Sequence, residues 1–194
     1  MYYRYLKEVE KREVYFISST ELAELTGLTA SQVRQDANAF GGEGRQGCGY
    51  PVTELRMHIE RLLGVNKPHT MMIVGAGNLG RAIARCESFK QKRYKTIAAF
   101  DFNKRKIGAH LEALVIQDVE EIESFLESEH VDIAVLTTPA EVTQELAERI
   151  YRCGVRGFWN YAPLDLQLPE DAAVVNVHLD ESLEVLSYRL NHSD

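Results

Sequence analysis

The sequence predicts an α/β protein in which a small helical N-terminal domain precedes a doubly wound parallel sheet. Three observations support this fold class. Paired helix start signals lie within the first 40 residues, a strand-like apolar run at 71–74 breaks into closely spaced glycines, and apolar runs then alternate with helical segments. The chain of 194 residues has room for one domain of ordinary size and a smaller one.

The composition excludes several classes of protein. No apolar run reaches membrane-spanning length, and no basic start followed by an apolar core resembles a signal peptide, so we expect a cytoplasmic protein without membrane association. The three cysteines, Cys48, Cys86 and Cys153, form no Cys-x-x-Cys pair, and the six histidines form no ligand cluster. We therefore expect no metal. The net charge of −7 leaves room for a basic face on only part of the molecule.

Two helices are predicted before residue 28. Residues 2–12 have helical character, and after Tyr15-Phe16-Ile17 the pair Ser18 and Glu21 has capping-box spacing. The helix that this box opens is expected to end at Gly27.

The next helix gives the N-terminal domain its predicted function. Thr29 and Gln32 predict a second capping box for a helix that runs to about Phe40, and two short helices joined by a glycine-containing turn describe a helix-turn-helix. Val33 and Ala37 share the inner face with Phe40. The outward-facing candidates for DNA contact are Ser31, Gln32, Arg34, Gln35 and Asn38. Arginine and amide side chains can read guanine and adenine edges in a major groove.

Residues 41–51 contain five glycines and predict a tight hairpin, the wing of a winged helix, with Arg45 as a further DNA contact. Thr53 is expected to cap the following helix, and residues 64–68 form a linker. The alternative is a helical domain for protein contacts, because residues 1–66 hold eight Lys and Arg against eight Glu and one Asp, a net charge of −1. DNA-binding domains are usually basic.

The glycine-rich stretch after the strand at 71–74 is the main candidate for a ligand site. Gly75 is suited to a sharp turn, Gly77 to close approach of a pyrophosphate, and Gly80 to close packing of the helix on the sheet. The predicted site comprises Gly75, Ala76, Gly77, Asn78, Leu79 and Gly80. The amides at the start of the helix face the phosphates.

A carboxylate follows at the spacing that ribose recognition requires. A second strand at 96–100 ends in Asp101, 21 residues beyond Gly80. Its oxygens would accept hydrogen bonds from ribose hydroxyls and repel a 2′-phosphate, which favours NAD(H) over NADP(H). Lys104 and Arg105 leave NADP(H) as an alternative.

The α/β alternation continues to the C-terminal region. Strands are predicted at 114–116, 131–137, 156–159 and 173–177, and helices at 119–127 and 141–153. Two strand ends are expected at the ligand-binding edge of the sheet, with Thr137, Thr138, Pro139 and Asn160 as further cofactor contacts. The last segment carries a helical stripe of Leu179, Leu183, Leu186 and Leu190 that no later residue covers, and we favour a second subunit as its partner.

From Tyr2 to Tyr188 the chain resembles the Rex family of redox-sensing transcriptional repressors. The similar stretches are Tyr2 to Leu6, Ser18-Ser19, Glu21-Leu22, Gln32-Val33-Arg34 with Asp36, Phe40-Gly41, Gly47, Gly49-Tyr50, Gly75 to Gly80, Ala98 to Asp101, Lys106-Ile107-Gly108, Thr137, Pro139-Ala140, Asn160 and Ala162-Pro163. The resemblance implies a winged helix-turn-helix joined to a Rossmann-type domain, with a C-terminal helix swapped into the partner of a homodimer. It also implies operator double-stranded DNA as a partner, and release from DNA when NADH binds.

Several residues depart from the family pattern. Gln35 replaces the usual basic residue of the recognition helix, Cys86 stands where the family usually has Tyr, and His178 where it usually has Asp. The resemblance places Cys86 near the cofactor and His178 at the root of the swapped helix, while Arg4, which takes part in the family's redox-dependent contacts, is present.

The expected domains are a DNA-binding domain at 1–66, an NAD(H)-binding domain at 67–178 and a dimerisation helix at 179–194. One alternative is a Rex-like paralogue that signals through a protein partner with weak or no DNA binding. The other is an NAD-dependent oxidoreductase. We expect that the protein is not an enzyme, because the predicted domains leave no segment that could form a substrate domain.

Overall fold

A computed structural model describes residues 1–45, 47–87 and 93–192. The chain divides into two compact units, Met1–Lys67 and Pro68–Asp194. Within the described ranges, no helix is both long enough and apolar enough to cross a membrane.

The described residues of the first unit form four helices and a two-stranded sheet. Its elements are α1 (Tyr2–Lys11), β1 (Phe16–Ile17), α2 (Ser19–Thr26), α3 (Ala30–Ala39), β2 (Tyr50–Pro51) and α4 (Val52–Leu62). Leu6, Val33 and Val52 are completely buried where these helices meet. The predicted helix-turn-helix is confirmed as α2 and α3.

Local chemistry sets the ends of these two helices. The Ser18 hydroxyl accepts a hydrogen bond from the Glu21 amide at 3.1 Å, and the Glu21 carboxylate accepts one from the Ser18 amide at 2.8 Å, which confirms the capping box. Gly27 ends α2 in the left-handed conformation, with φ of 71°. Thr29 caps α3 through the Gln32 amide at 3.2 Å.

Two predictions for this unit are wrong in detail. The Gln32 side chain does not complete a capping box at Thr29, where only the hydroxyl half forms. Thr53 does not cap α4: the N-cap position is Pro51, and the Thr53 hydroxyl donates to Glu10 at 2.9 Å on α1. This contact joins residues 43 positions apart, so local sequence could not reveal it.

The glycine-rich segment forms a narrow loop at the position predicted for the wing. β1 pairs antiparallel with β2, and the amide of Arg45 donates to the Gly49 carbonyl at 2.8 Å. A Cβ at Gly49 would lie 2.4 Å from the Ile17 carbonyl oxygen, and its φ is +85°, so this position needs glycine. Residue 46 lies outside the described residues.

The second unit is built on a seven-stranded sheet of order β5-β6-β4-β3-β7-β8-β9. Its strands are β3 (His69–Val74), β4 (Tyr94–Asp101), β5 (His110–Leu111), β6 (Leu114–Asp118), β7 (Ile133–Leu136), β8 (Gly157–Asn160) and β9 (Ala173–Asn176). In sheet order, the neighbouring strands from β6 through to β9 pair in parallel, and β5 pairs antiparallel with β6. The predicted doubly wound parallel sheet is therefore confirmed.

The other elements that the structure describes in this unit are α5 (Asn78–Arg85), a 3₁₀ turn (Val119–Glu121), α6 (Ile122–Ser128), α7 (Ala140–Arg152) and α8 (Glu181–Asn191). Strand and helix ends differ by at most three residues from those predicted, close to the usual uncertainty of helix and strand ends. The short β5 was not predicted, because two residues carry no periodicity. The chain order reverses between β3 and β7, and this is the point at which doubly wound sheets bind ligands.

The C-terminal helix α8 contains no buried residue. Its leucines Leu183, Leu186 and Leu190 are 51–72% exposed, so the predicted uncovered stripe is present. Leu179 does not belong to the helix: it lies in the turn before Asp180, the N-cap residue. Leu179 is itself 60% exposed, so it adds to the apolar surface without extending the helical stripe.

Candidate dinucleotide and DNA sites

The loop between β3 and α5 is tight at two glycines and open at the third. Gly75 has φ of +102°, and a Cβ there would lie 2.6 Å from the Thr137 carbonyl oxygen. A Cβ at Gly80 would lie 2.1 Å from the Gly75 carbonyl oxygen. A Cβ at Gly77 would have no atom of the described chain within 4 Å. Bare backbone therefore faces open space where a pyrophosphate would lie.

The N-terminus of α5 presents amides to the same space. Gly77 is the N-cap residue and has no side chain that could occupy the first amides of the helix. The amides of Asn78, Leu79 and Gly80 are thus available to phosphate oxygens, and the helix dipole favours an anion there. Arg81, which sequence reasoning missed, donates from Nε to the Ala76 carbonyl at 3.1 Å and brings a cation to this loop.

Asp101 lies beside the glycine loop as predicted, but its carboxylate is already engaged. Oδ2 accepts the Ala76 amide at 2.8 Å and Lys106 Nζ at 2.8 Å, and Oδ1 accepts the Asn103 amide at 2.8 Å. Burial alone would raise the pKa of Asp101, but the Lys106 and amide hydrogen bonds outweigh it and lower that pKa. Asp101 is therefore an ionised carboxylate fixed to the loop.

The residues after β7 close the other side of the loop. The Thr137 hydroxyl donates to the Gly75 carbonyl at 2.7 Å, and the Thr138 and Thr143 hydroxyls share a buried hydrogen bond of 2.7 Å. Pro139 is the N-cap residue of α7. The hydroxyls of Thr137 and Thr138 thus bind protein groups, and the backbone of these two residues is the part that can line a ligand site.

Asn160 reaches the same edge of the sheet, but its side chain is fully buried. Its Nδ2 donates to the Leu164 carbonyl at 2.7 Å and to Asn176 Oδ1 at 3.0 Å, and its Oδ1 accepts the Ala162 amide at 3.0 Å. The side chain therefore orders the 161–164 turn. It is not brought to the glycine loop.

The predicted switch residues lie in different places. Cys86 is the C-cap residue of α5 and is half-buried. Burial, and to a smaller extent the nearby Cys86, raises the pKa of Tyr161. His178 Nε2 lies 3.0 Å from Asp165 Oδ1, and this hydrogen bond raises the pKa of His178. Arg4 is exposed in the first unit and donates to the Tyr5 hydroxyl at 3.0 Å.

The outer face of α3 carries the predicted DNA contacts. The exposed residues are Ser31, Gln32, Arg34, Gln35 and Asn38, while Val33 and Ala37 are buried. Arg34 donates to the Ser19 hydroxyl at 3.2 Å, so its guanidinium lies across the two helices of the motif. The carboxylate of Asp36 accepts a 2.7 Å hydrogen bond from the Tyr2 hydroxyl.

Arg45 projects from the narrow loop and is 61% exposed. Its guanidinium lies 5.4 Å from the centroid of the Phe16 ring and 3.7 Å from the carboxylate of Glu54. These contacts support the side chain and leave most of it in solvent, where a DNA phosphate could reach it.

The described residues contain no group of three or more His, Cys, Asp or Glu side chains that could hold a metal ion. Sequence reasoning missed Lys106 as a site residue. The sequence offered two signals for it: its place in the Lys106-Ile107-Gly108 stretch that resembles the family, and its position five residues after the acid that ends β4.

Two family models match parts of the chain. A family model described as a CoA binding domain matches residues 66–164, and one described as the N-terminus of a putative DNA-binding protein matches residues 1–38. The redox-sensing transcriptional repressor Rex of Caldanaerobacter subterraneus is 43% identical over 193 residues, covering 100% of this chain and 86% of that protein. The repressor of the same name from Clostridioides difficile is 44% identical over 187 residues, covering 96% and 89%.

Two solved structures are similar over nearly the whole chain. The Rex-family repressor RSP in complex with β-NAD⁺ and operator DNA has a TM-score of 0.93 and 44% identity, covering 99% of this chain and 88% of RSP. RSP in complex with β-NADH has a TM-score of 0.91 and 42% identity, covering 99% and 90%. The resemblance first suggested by the motifs is thereby confirmed, and this chain belongs to the Rex family of redox-sensing transcriptional repressors.

Proposed function

We propose that this chain is an NAD(H)-responsive transcriptional repressor that binds operator double-stranded DNA as a homodimer and is released by NADH. The open backbone at Gly77, with the α5 amides beside it, is the observation that carries the proposal. It is supported by the relatives, one of which was solved with β-NAD⁺ and operator DNA and also with β-NADH. Such a protein acts in the cytoplasm and needs neither a metal nor a membrane.

The residues of the second unit fit a dinucleotide. The Gly75–Gly80 loop and the α5 amides would hold the pyrophosphate, Asp101 would accept a ribose hydroxyl, and the backbone at 137–139 would line the opposite wall. The bound nicotinamide supplies the redox signal, because its ring is cationic in NAD⁺ and neutral in NADH. The Asp101 carboxylate would repel a 2′-phosphate, which favours NAD(H) over NADP(H).

We assign DNA binding to residues 1–66, NAD(H) binding to residues 67–178 and dimerisation to residues 179–194. The outer face of α3 would lie in the major groove, and Arg45 would contact the backbone beside it. A second subunit would cover α8, since burying a leucine is worth about 1.5–3 kcal/mol. Three helix leucines and Leu179 could therefore hold two subunits together.

The slightly negative net charge of residues 1–66 favours a second candidate function, that of a Rex-like paralogue that signals through a protein partner. A net charge of −1 supplies little general attraction to DNA. An NAD-dependent oxidoreductase is less well supported, because the proteins similar to this chain over most of its length are named as repressors.

The function is tested by a gel-shift assay with DNA from upstream of the protein's own gene. We expect a retarded complex that persists with NAD⁺ and disappears with NADH, while NADPH at the same concentration has little effect. NADH binding without retention of any DNA would instead support the protein-partner alternative. NADH consumption that depends on an added substrate would support the oxidoreductase.

Arg34→Ala and Arg45→Ala should both weaken operator binding, measured by fluorescence anisotropy across a salt series. Loss of a base contact by Arg34 is expected to cost about 1–3 kcal/mol, whereas loss of a phosphate contact by Arg45 should lower the salt slope by about one. Arg61→Ala is the matched control, because it removes the same charge from the exposed end of α4. Equal effects of all three changes would contradict specific roles for Arg34 and Arg45.

A chain ending at His178 should lose dimerisation and operator binding, because the leucines that a partner would cover are removed. Light scattering of the full chain should give a dimer, and that of the shortened chain a monomer or aggregate. Glu181→Gln with Glu184→Gln is the control, since it alters the same helix and keeps its leucines. A shortened chain that remains dimeric and still releases DNA with NADH would refute this role of α8.

A further inference from the structure

The carboxylate of Asp101 has less free hydrogen-bonding capacity than a ribose-binding acid is normally assumed to have. An ionised carboxylate offers about four acceptor sites, two on each oxygen. The Ala76 amide and Lys106 Nζ occupy Oδ2, and the Asn103 amide occupies one site on Oδ1. A single acceptor site on Oδ1 therefore remains for a ligand hydroxyl.

Lys106 and Lys104 each pair with a carboxylate, but the partner of Lys106 is the more buried one. Asp101 and Asp118 are register partners on β4 and β6, and each carboxylate has its own lysine. The Lys106 side chain is 33% exposed and its partner Asp101 only 8%. The Lys104 side chain is 76% exposed, so its pair with Asp118 is largely screened by water.

The buried pair is linked directly to the loop that would carry the pyrophosphate. Oδ2 of Asp101 is the atom that accepts both the Lys106 ammonium and the Ala76 amide, at 2.8 Å each. An ammonium on that oxygen fixes the direction of the carboxylate and offsets the charge that burial would otherwise penalise. Without Lys106 the carboxylate could rotate away from Ala76.

We propose that Lys106 is a positioning residue of the dinucleotide site, which holds Asp101 against the glycine loop and leaves Oδ1 for one ribose hydroxyl. The inference rests on the proposed NAD(H) site and adds to it a residue that acts through Asp101. Lys106 therefore affects the affinity for NADH through the direction and charge of the Asp101 carboxylate.

The charged groups around Asp101 make the effect of pH predictable. Lys106 faces the carboxylate, the Lys104 and Asp118 pair lies on the β6 side, and Arg81 of α5 is bound to the Ala76 carbonyl. Lys106→Met removes the cation that touches Asp101 and leaves the carboxylate buried. Loss of the Lys106 hydrogen bond and charge raises the pKa of Asp101 above its wild-type level, although the Asn103 and Ala76 amides still lower it, so the carboxylate becomes protonated at a higher pH than in the wild type.

The test is NADH titration of the full chain by calorimetry between pH 8 and pH 5.5. Lys106→Met should bind NADH on the order of tenfold more weakly than the wild type, as expected for loss of a charge-assisted hydrogen bond. Its affinity should fall further on acidification, beginning at a higher pH than in the wild type. Lys104→Met is the matched control and should follow the wild-type curve.

Lys106→Gln, which keeps a hydrogen-bond donor but not the charge, is measured in parallel and should show the same acid sensitivity. It tests the inference even if Lys106→Met fails to fold. A variant profile parallel to that of the wild type, or equal loss in Lys104→Met, overturns the inference while the NAD(H) site stands. A wild type that binds no NADH at any pH overturns both this inference and the proposed function.

Discussion

The close approach of three parallel strand ends is the constraint on which the second unit depends. The Gly75 amide donates to the Phe100 carbonyl at 2.8 Å, and the Gly75 carbonyl accepts the Thr137 hydroxyl at 2.7 Å. One residue after β3 is thus tied to β4 on one side and to the end of β7 on the other. A side chain at Gly75 or Gly80 would separate these groups, and the open space over Gly77 would lose its shape.

The same arrangement explains how a bound dinucleotide could act at a distance. The loop that would hold the pyrophosphate is continuous with α5, and the segment after β7 leads into α7. A ligand at the switch point would therefore touch elements on both halves of the sheet. The exposed leucines of α8 give a reason for two subunits to share a core. In a homodimer, a shift between subunits changes the distance between two recognition helices, and half-site spacing in DNA is fixed.

Sequence reasoning succeeded where a local rule sets the structure. The capping box at Ser18 and the glycine spacing at 75–80 act within a few residues, and the parallel sheet follows from alternating apolar runs. It failed where a distant residue decides, since the Thr53 hydroxyl, expected to cap α4, donates to Glu10 instead. The partners of the Asn160 side chain, the Leu164 carbonyl and Asn176 Oδ1, likewise follow from no local rule. The role of Lys106 depends on a β4 end folding back on the glycine loop, which no spacing rule expresses.

The most direct test of the account is to measure how a Gly77→Val variant binds operator DNA, by fluorescence anisotropy of the DNA with and without NADH. Gly77 has an extended backbone, with φ of −78° and ψ of −167°, and a Cβ there meets no described atom within 4 Å, so the variant should fold and bind operator DNA like the wild type. Its side chain would occupy the space reserved for the pyrophosphate. The account predicts DNA binding that NADH no longer reverses, whereas release of the variant by NADH at wild-type concentrations would contradict it.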